Sequence, residues 1–248
     1  MQQTNLFENI IDNDFDYAEE TNVKYGDIYL LGNHRLMCGD STKKEDVEKL
    51  MNGVKADMVF TDPPYNVAFN GRSGKFDIIL NDDITPEEFE VFITTVINNI
   101  KTINPKYTYI WCNWKFYGIL QSKIDFNACI VWAKNVFGMG QGYRHQHEFC
   151  LFKGKVDDNI KNESDLWKVA KDVNYIHPTQ KPTLLCHRAL KNHKDAKIVL
   201  DMFGGSGSTL IACEQIDRKC YTMELDEKYV QTIINRWRVL TKGNVIKL

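Results

Sequence analysis

Hydrophobic positions along this chain form short apolar runs that alternate with longer amphipathic stretches. Residues 107–111, 128–132 and 148–152 are short, apolar and rich in aromatic or β-branched side chains, as strands are. Residues 27–31 and 35–38, joined through Gly32, predict a hairpin. Alternation of strands with helices predicts an α/β fold, an open, mostly parallel twisted sheet with helices on both faces.

Helical periodicity is strongest in three stretches, residues 44–51, 85–96 and 227–240. Thr85 and Glu88 around Pro86 match a capping box with proline at the first helical position, which predicts a helix start there. The side chains expected to face inward are Phe89, Val91, Phe92 and Val96 from the second stretch and Val230, Ile233, Ile234 and Trp237 from the third.

The apolar run 58–60 ends in Thr61 and then in Asp62-Pro63-Pro64-Tyr65. Each proline fixes its own φ and offers a carbonyl but no N–H, and the residue before a proline is held extended. Asp62 is therefore expected to project from the end of a strand, beside carbonyl acceptors and the flat ring of Tyr65. Acceptors next to a ring suit a planar base with an exocyclic amino group. The alternative is a purely structural turn that the two prolines stiffen and that binds no ligand.

A second motif lies about 140 residues downstream, where the buried-strand pattern 197–200 ends in Asp201 and runs into a glycine-rich turn. The turn, 203–209, precedes the apolar helical stretch 210–213, and this order of strand, turn and helix is typical of nucleotide-binding sites. A third glycine in dinucleotide spacing is missing, which argues against a pyrophosphate cofactor. Glu224 closes the next predicted strand, 220–223, where an acid would hold ribose hydroxyls.

The two motifs resemble the D-P-P-Y and F-x-G-x-G motifs of S-adenosylmethionine-dependent DNA amino-methyltransferases. The D-P-P-Y motif comes first, and this permuted order resembles the β-class, which implies a Rossmann-like methyltransferase fold. The resemblance implies that Asp62 and the Pro63 carbonyl accept the two hydrogens of the target amine, while Tyr65 stacks on a flipped-out base. The catalytic set is then Asp62, Pro63, Pro64 and Tyr65.

Three further stretches fit the same class. Gly39-Asp40-Ser41 looks like the acid segment that contacts the cofactor adenine, and residues 177–182 look like the segment preceding the cofactor loop. Residues 131–148 resemble the middle strand and loop of the class. The residues implied to bind S-adenosylmethionine are Asp40, His177, Thr179, Lys181, Asp201, Phe203, Gly204, Gly205, Gly207, Ser208, Thr209 and Glu224.

Composition restricts the class of protein but does not indicate a particular function. The 248 residues carry 43% hydrophobic residues, enough for one substantial core, and contain no apolar run long enough for a membrane span. Without a signal pattern, the expected compartment is the cytoplasm. The seven cysteines and six histidines show no ligand spacing, so free thiols and no metal are expected.

Net charge is −2, which is unusual for a protein that binds DNA. The first twenty residues contain six acids and no base, so removing them turns −2 into +4 for residues 21–248. We therefore predict an acidic flexible tail, 1–24, followed by one methyltransferase domain, 25–248. The basic residues predicted to contact the phosphates of double-stranded DNA are Arg72, Lys75, Lys134 and Arg144.

Target recognition is expected near residues 153–176, a polar and weakly patterned segment too short for a separate domain. It would be shared with a mobile loop at 66–80 or with a second subunit, since members of the class often form homodimers. A restriction endonuclease also stays open as a partner.

The target base depends on Asp62, because cytosine-N4 enzymes resemble this motif with serine in its place. We therefore predict adenine N6 as the target, with cytosine N4 as the alternative. Two rival classes remain, a methyltransferase acting on RNA or a small metabolite and a catalytically silent DNA-binding module. Because stacking needs only a ring, Tyr65→Phe is expected to be mild.

Overall fold

The computed structural model describes residues 16–67, 82–138, 142–155, 163–171 and 180–248. Within these ranges the strands are β1 (Ile28–Leu31), β2 (His34–Cys38), β3 (Met58–Thr61), β4 (Tyr107–Cys112), β5 (Ala128–Ala133), β6 (His147–Lys153), β7 (Leu166–Lys168), β8 (Ile198–Asp201), β9 (Lys219–Glu224) and β10 (Val245–Lys247). The helices are α1 (Lys44–Met51), α2 (Pro86–Ile103), α3 (Tyr117–Lys123), α4 (Thr183–Lys191), α5 (Ser208–Gln215) and α6 (Glu227–Thr241).

The described strands form one open sheet in the order β10-β1-β2-β9-β8-β3-β4-β6-β5-β7. The central strands β2, β9, β8, β3 and β4 are parallel. The pairs β10–β1, β1–β2, β4–β6 and β6–β5 are antiparallel, whereas β5–β7 is parallel. The sheet is thus mixed, with a parallel centre and antiparallel flanks.

The centre of the sheet contains a topological switch point. From β8 the chain continues to β9 on one side, whereas from β3 it continues to β4 on the other. Connections that leave in opposite directions open a crevice at the carboxyl ends of the two strands, where ligands bind in open α/β sheets. Four acids follow or end strands at this edge, namely Asp40, Asp62, Asp201 and Glu224.

Helices cover both faces of the sheet, as predicted. One buried cluster joins the sheet to α4, α5 and α6 through side chains such as Leu185, Leu210 and Ile233. The second cluster joins the opposite face to α1, α2 and α3 through side chains such as Leu50, Phe92 and Leu120. Helices on both faces thus bury the central strands β3 and β8 that form the switch point.

Local sequence signals account for several element boundaries. The predicted hairpin forms between β1 and β2. Thr85 accepts a hydrogen bond from the Glu88 N–H, and Glu88 accepts one from the Thr85 N–H, so the predicted capping box is present with Pro86 in the first turn. The four inward positions predicted in α6 are all buried.

One inward position in α2 is corrected. Val91 is 67% exposed, whereas Phe89, Phe92 and Val96 are buried. Val91 lies two residues after Phe89 and therefore points about 200° away from it around the helix. The prediction treated an apolar residue as buried although its spacing places it on the solvent face.

Two segments are better ordered than their patterns indicated. Within the polar stretch 153–176, residues 166–168 form β7 and pair with β5, with Trp167 buried. In the predicted tail, the Ala18 N–H donates to Thr232 of α6 at 3.0 Å, and Val23 is 1% exposed. The contact with the domain therefore begins before residue 25; residues 1–15 lie outside the described part.

Among the described helices, none is both long and apolar enough to span a bilayer.

Candidate active site

The predicted amine-binding motif lies at the carboxyl end of β3. Pro63 is buried, while Asp62 and Tyr65 are half-buried. Asp82, which sequence analysis did not single out, is 1% exposed and accepts hydrogen bonds from the Tyr65 and Val67 N–H groups at 3.1 and 3.3 Å. Asp82 thereby anchors the backbone that follows the two prolines.

The glycine-rich turn lies on the other side of the switch point, between β8 and α5. Gly205 and Gly207 have φ values of +50° and +85°, a region that glycine occupies readily. The Gly204 N–H donates to the Met223 carbonyl at 2.7 Å, and a Cβ on Gly204 would lie 2.8 Å from Thr222 Oγ1. Glycine at this position lets the turn lie against β9. The turn leads into the N-terminus of α5, which no side chain caps and which faces the crevice.

Two acids flank this turn, Asp201 in a buried position and Glu224 in a half-buried one. Glu224 accepts from the Gly205 N–H at 2.7 Å and from the Asp226 N–H at 2.9 Å. Asp201 is 3% exposed and accepts from Thr61 Oγ1 and from the Phe203 N–H, both at 3.1 Å. Burial raises the pKa of each carboxyl to about 7, although these donors oppose the rise.

Asp40 follows β2 at the same edge. Its Oδ1 accepts from the Thr42 N–H at 2.9 Å and from Thr42 Oγ1 at 2.7 Å. The Asp40 N–H donates to Asp46 at 2.9 Å. These bonds fix the orientation of Asp40, which faces the same cavity as Glu224.

A single cavity joins the two motifs. The predicted residues that line it are Asp40, Asp62, Pro63, Pro64, Tyr65, Lys181, Asp201, Phe203, Gly204, Gly205, Ser208, Thr209 and Glu224. Gly207 shapes the turn without lining the cavity. Four predicted residues, Arg72, Lys75, His177 and Thr179, lie outside the described ranges, as does most of the predicted loop 66–80. Two motifs separated by about 140 residues thus meet around one space.

Lys181 lines the cavity and forms ion pairs within it. Its side chain is 7% exposed, and its Nζ lies 2.5 Å from Asp62 Oδ2 and 2.8 Å from Glu148 Oε2. The Tyr65 hydroxyl donates to Asp62 Oδ1 at 2.6 Å and accepts from Lys181 at 3.0 Å. Lys181 was predicted to bind the cofactor, which stays a prediction; in the structure its ammonium lies against the Asp62 carboxylate.

Glu148 is a further site residue that sequence analysis did not single out. It lies in β6, and its second carboxylate oxygen pairs with Lys134, whose side chain is only 17% exposed. This placement argues against the predicted phosphate contact of Lys134, because its charge is already compensated inside the protein. Alternating charges thus form a row, Lys134–Glu148–Lys181–Asp62, named here the ion-pair row.

Asp62, Glu148 and Lys181 of the ion-pair row have shifted pKa values. Burial raises the pKa of Asp62, and Glu148 adds to the rise, while Lys181 and Tyr65 oppose it. Burial also acts to raise the pKa of Glu148, but Lys181 and Lys134 outweigh it and hold the pKa at about 2. Burial favours loss of the Lys181 proton, yet Asp62 and Glu148 outweigh it and raise the pKa of that ammonium. Each charge of the row stabilises its neighbours.

A buried arginine of α6 holds the backbone of the glycine-rich turn by a hydrogen bond. Arg236 of α6 is 0% exposed, and its Nη1 donates to the Ser206 carbonyl at 2.9 Å. Ser206 also donates to Gln180 at 3.1 Å. The sequence contained a signal for Arg236, since it lies three residues after the inward-facing Ile233 and so on the same helix face.

The rim beside the motif carries exposed aromatic side chains. Trp114 follows β4 and is 54% exposed, while Phe137 and Tyr143, in the connection between β5 and β6, are 57% and 101% exposed. Arg144, predicted to contact phosphate, is exposed and stacks on Phe137 with 5.0 Å between its guanidinium and the ring centroid. Aromatic and cationic groups therefore lie at the edge of the sheet that carries Asp62.

The fold is of the α/β class, and its site combines a glycine-rich turn of nucleotide-binding type with a rigid set of hydrogen-bond acceptors in one cavity. Comparison with known families makes this more specific. The model of the family described as DNA methylase (N6_N4_Mtase) matches residues 56–235. The chain belongs to this family.

Individual relatives agree with that assignment. The Type II methyltransferase M.HpaI of Haemophilus parainfluenzae is 26% identical over 235 residues, which cover 79% of this chain and 72% of M.HpaI. The crystal structure of the M1.HpyAVI–SAM complex matches with a TM-score of 0.58 and 26% identity, covering 81% of this chain and 98% of that chain. PvuII DNA methyltransferase, described as cytosine-N4-specific, matches with a TM-score of 0.63 at 14% identity, covering 83% and 86%; at this identity the match concerns the fold alone.

Proposed function

We propose that this protein transfers a methyl group from S-adenosylmethionine to the N6 amine of a flipped-out adenine in double-stranded DNA. The observation that carries the proposal is the single cavity lined by both Asp62-Pro63 and the Gly204–Gly205 turn. One space can then hold a donor and an acceptor side by side, which is the main requirement of a transfer reaction between two bound molecules.

The cofactor half of the cavity fits an adenosyl group. Glu224 and Asp40 offer carboxylate acceptors for ribose hydroxyls and for an adenine amine, and Phe203 supplies an apolar face. When bound, S-adenosylmethionine supplies an electrophilic methyl group. The relative M1.HpyAVI was crystallised as a complex with SAM, which supports the same cofactor here.

The amine half acts by hydrogen bonding. An exocyclic amine is a poor nucleophile because its lone pair is delocalised into the ring. Asp62 and the Pro63 carbonyl would accept its two hydrogens and hold them out of the ring plane, so the lone pair localises on nitrogen. The methyl group would leave the sulfonium sulfur for this nitrogen, S-adenosylhomocysteine would depart, and the methylated amine would release one proton to solvent. Position and electrostatics, rather than a covalent intermediate, would assist the transfer.

Adenine is preferred to cytosine because a carboxylate opens the motif. Asp62 is a stronger acceptor than the serine found at this place in the cytosine-N4 pattern. The alternative is methylation of cytosine N4, since the same geometry accepts that amine and the N6_N4_Mtase family is named for both.

DNA as the substrate is supported by the rim of the site. Trp114, Phe137 and Tyr143 present exposed rings, and base–ring stacking contributes roughly 1–3 kcal/mol per base. Arg144 adds a cation, and residues 21–248 carry a net charge of +4 once the six acids of the first twenty residues are removed from −2. We assign reading of the target sequence to the neighbourhood of residues 153–176, where β7 extends the sheet beyond β5.

The test is methyl transfer from deuterated S-adenosylmethionine to plasmid DNA prepared from a host without amino-methylation. Digestion to nucleosides and mass spectrometry should find deuterated N6-methyladenine, and Asp62→Ala should abolish it. N4-methylcytosine without N6-methyladenine would contradict the choice of base. Methylation of added RNA but not of duplex DNA would contradict the choice of substrate.

A further inference from the structure

The carboxylate that should receive the target amine has a donor within the protein on each of its two oxygens. Tyr65 donates to Asp62 Oδ1 at 2.6 Å, and the Lys181 ammonium lies 2.5 Å from Oδ2. Lys181 is 7% exposed, so it belongs to the wall of the pocket and not to its solvent surface. An amine that enters the pocket therefore finds the Lys181 ammonium at the Asp62 oxygen that one of the amine N–H groups should use.

A cation in that position opposes the proposed reaction. Methyl transfer places positive charge on the amine nitrogen, and charges of like sign at such short range repel strongly in a buried site. Lys181 also neutralises Asp62, the carboxylate that should stabilise this charge. The ammonium must therefore leave Asp62 before transfer takes place.

Glu148 gives the ammonium a second anchor. Its Oε2 is 2.8 Å from Lys181 Nζ, and its other oxygen is held by Lys134. A buried lysine that lost its only partner would be strongly destabilised. Because Lys181 contacts both carboxylates at once, it can give up Asp62 and remain paired with Glu148.

We propose that Lys181 is a displaceable cap on Asp62, which withdraws onto Glu148 when the target amine enters. An N–H group of the target amine replaces the Lys181 ammonium as the hydrogen-bond donor to Asp62 Oδ2, and this exchange transfers no proton. Glu148 is then a positioning residue for methyl transfer, although it does not touch the amine. This inference rests on the proposed function, because it needs an amine that binds Asp62.

The cap predicts opposite pH effects of two substitutions. In Glu148→Gln, Lys181 keeps Asp62 as its one anionic partner among the residues described, and Asp62 loses a neighbouring negative charge, so the pKa of Asp62 falls. In Lys181→Met, Asp62 loses its cation while Glu148 remains, so the pKa of Asp62 rises further. The ionisable groups that interact with Asp62 in the described site are Lys181, Glu148, Tyr65, Asp201, Cys112 and Cys150.

The experiment measures kcat/KM for plasmid DNA from a host without amino-methylation as a function of pH. The acid limb of this profile reports the ionisation of the free enzyme. We expect the limb of Glu148→Gln to move to lower pH, with kcat/KM reduced roughly tenfold or more at neutral pH because the cap is held more tightly. We expect the limb of Lys181→Met to move to higher pH.

Controls separate this role from a structural one. Glu87→Gln and Lys101→Met make the same substitutions on the exposed face of α2 and should leave the profile unchanged. Lys134→Met provides a second test that leaves Asp62 and Lys181 intact; Glu148 should then attract Lys181 more strongly, so the limb moves to higher pH. Calorimetric titration with S-adenosylmethionine should give the same Kd for Lys181→Met and for wild type.

The outcomes are distinct. Limbs of Glu148→Gln and Lys181→Met that move in the same direction, or that do not move, would overturn the cap. A large loss of cofactor affinity in Lys181→Met would return Lys181 to the cofactor site and also overturn it. Wild-type protein that methylates no DNA would overturn the proposed function itself, and the cap with it.

Discussion

The buried carboxyl of Asp201 should make the stability of this protein depend on pH in an unusual direction. Asp201 ends β8 beneath the glycine-rich turn and is 3% exposed. Burial raises its pKa from the ordinary 3.8 to about 7, against hydrogen bonds from Thr209, Phe203 and Thr61. A carboxyl with a raised pKa holds its proton more tightly in the folded state than in the unfolded chain.

The size of the effect follows from that change. Between pH 4 and pH 7 the folded state binds more protons than the unfolded state, so the free energy of unfolding falls as pH rises. A pKa that moves from 3.8 to about 7 corresponds to roughly 4 kcal/mol, lost progressively across this interval. The contribution is fully present below the unfolded-state pKa and absent above pH 8.

Asp201→Asn removes this titration while keeping the shape and an acceptor oxygen for Thr61 and Phe203. The variant should therefore become more stable relative to wild type as pH rises. The difference in unfolding free energy between the two proteins should change by about 4 kcal/mol between pH 4 and pH 8. Glu224, whose pKa is also about 7, titrates in both proteins and cancels from the difference.

Urea unfolding followed by tryptophan fluorescence and by circular dichroism measures this difference at each pH. The matched control is Asp195→Asn, because hydrogen bonding to Lys106 lowers the pKa of Asp195. That variant should lose stability relative to wild type only as pH rises toward the ordinary aspartate pKa of 3.8, so its difference from wild type should stay nearly constant between pH 4 and pH 8. A flat difference for Asp201→Asn from pH 4 to pH 8 would refute the reasoning about burial.

Three further substitutions test separate parts of the account. Tyr65→Phe keeps the ring but removes the hydroxyl that bonds Asp62 at 2.6 Å, so kcat should fall roughly tenfold rather than mildly, as measured by methyl transfer; unchanged kcat would leave stacking as the role of Tyr65. Gly207→Ala places a Cβ at φ +85° and 3.0 Å from Ile233, which should cost roughly 1–3 kcal/mol in urea unfolding; a smaller loss would mean that the turn relaxes. Thr85→Ala removes the capping box of α2 and should lower the unfolding free energy by about 1 kcal/mol without changing cofactor affinity. An equal loss in Thr95→Ala, in the middle of α2, would argue against a stabilising role of the capping box.

Features that depend on neighbouring residues were predictable from the sequence. The capping box at Thr85, the hairpin β1–β2 and the glycine-rich turn after β8 each follow from a few adjacent residues with definite backbone preferences. The meeting of Asp62 with the turn was also predictable, because parallel strands bring their carboxyl ends to one edge of a sheet.

Features that depend on distant pairing were not predictable. Lys181 is separated from Asp62 by 119 positions, and nothing local indicates that its ammonium lies against that carboxylate. Glu148 is 83 positions from Tyr65, and its place in the ion-pair row depends on the antiparallel pairing of β6 with β4. The strand β7 was missed for a related reason, since three residues inside a polar segment become a strand only when β5 offers them an edge.

A crystal structure of the protein with S-adenosylmethionine tests the central claim most directly. The claim is that the Gly204–Gly205 turn and Asp62 belong to one transfer site. It predicts the adenosyl group between Asp40 and Glu224, with the methyl group directed at the space between Asp62 and the Pro63 carbonyl. A cofactor bound elsewhere, or one whose methyl group points away from Asp62, would contradict the claim.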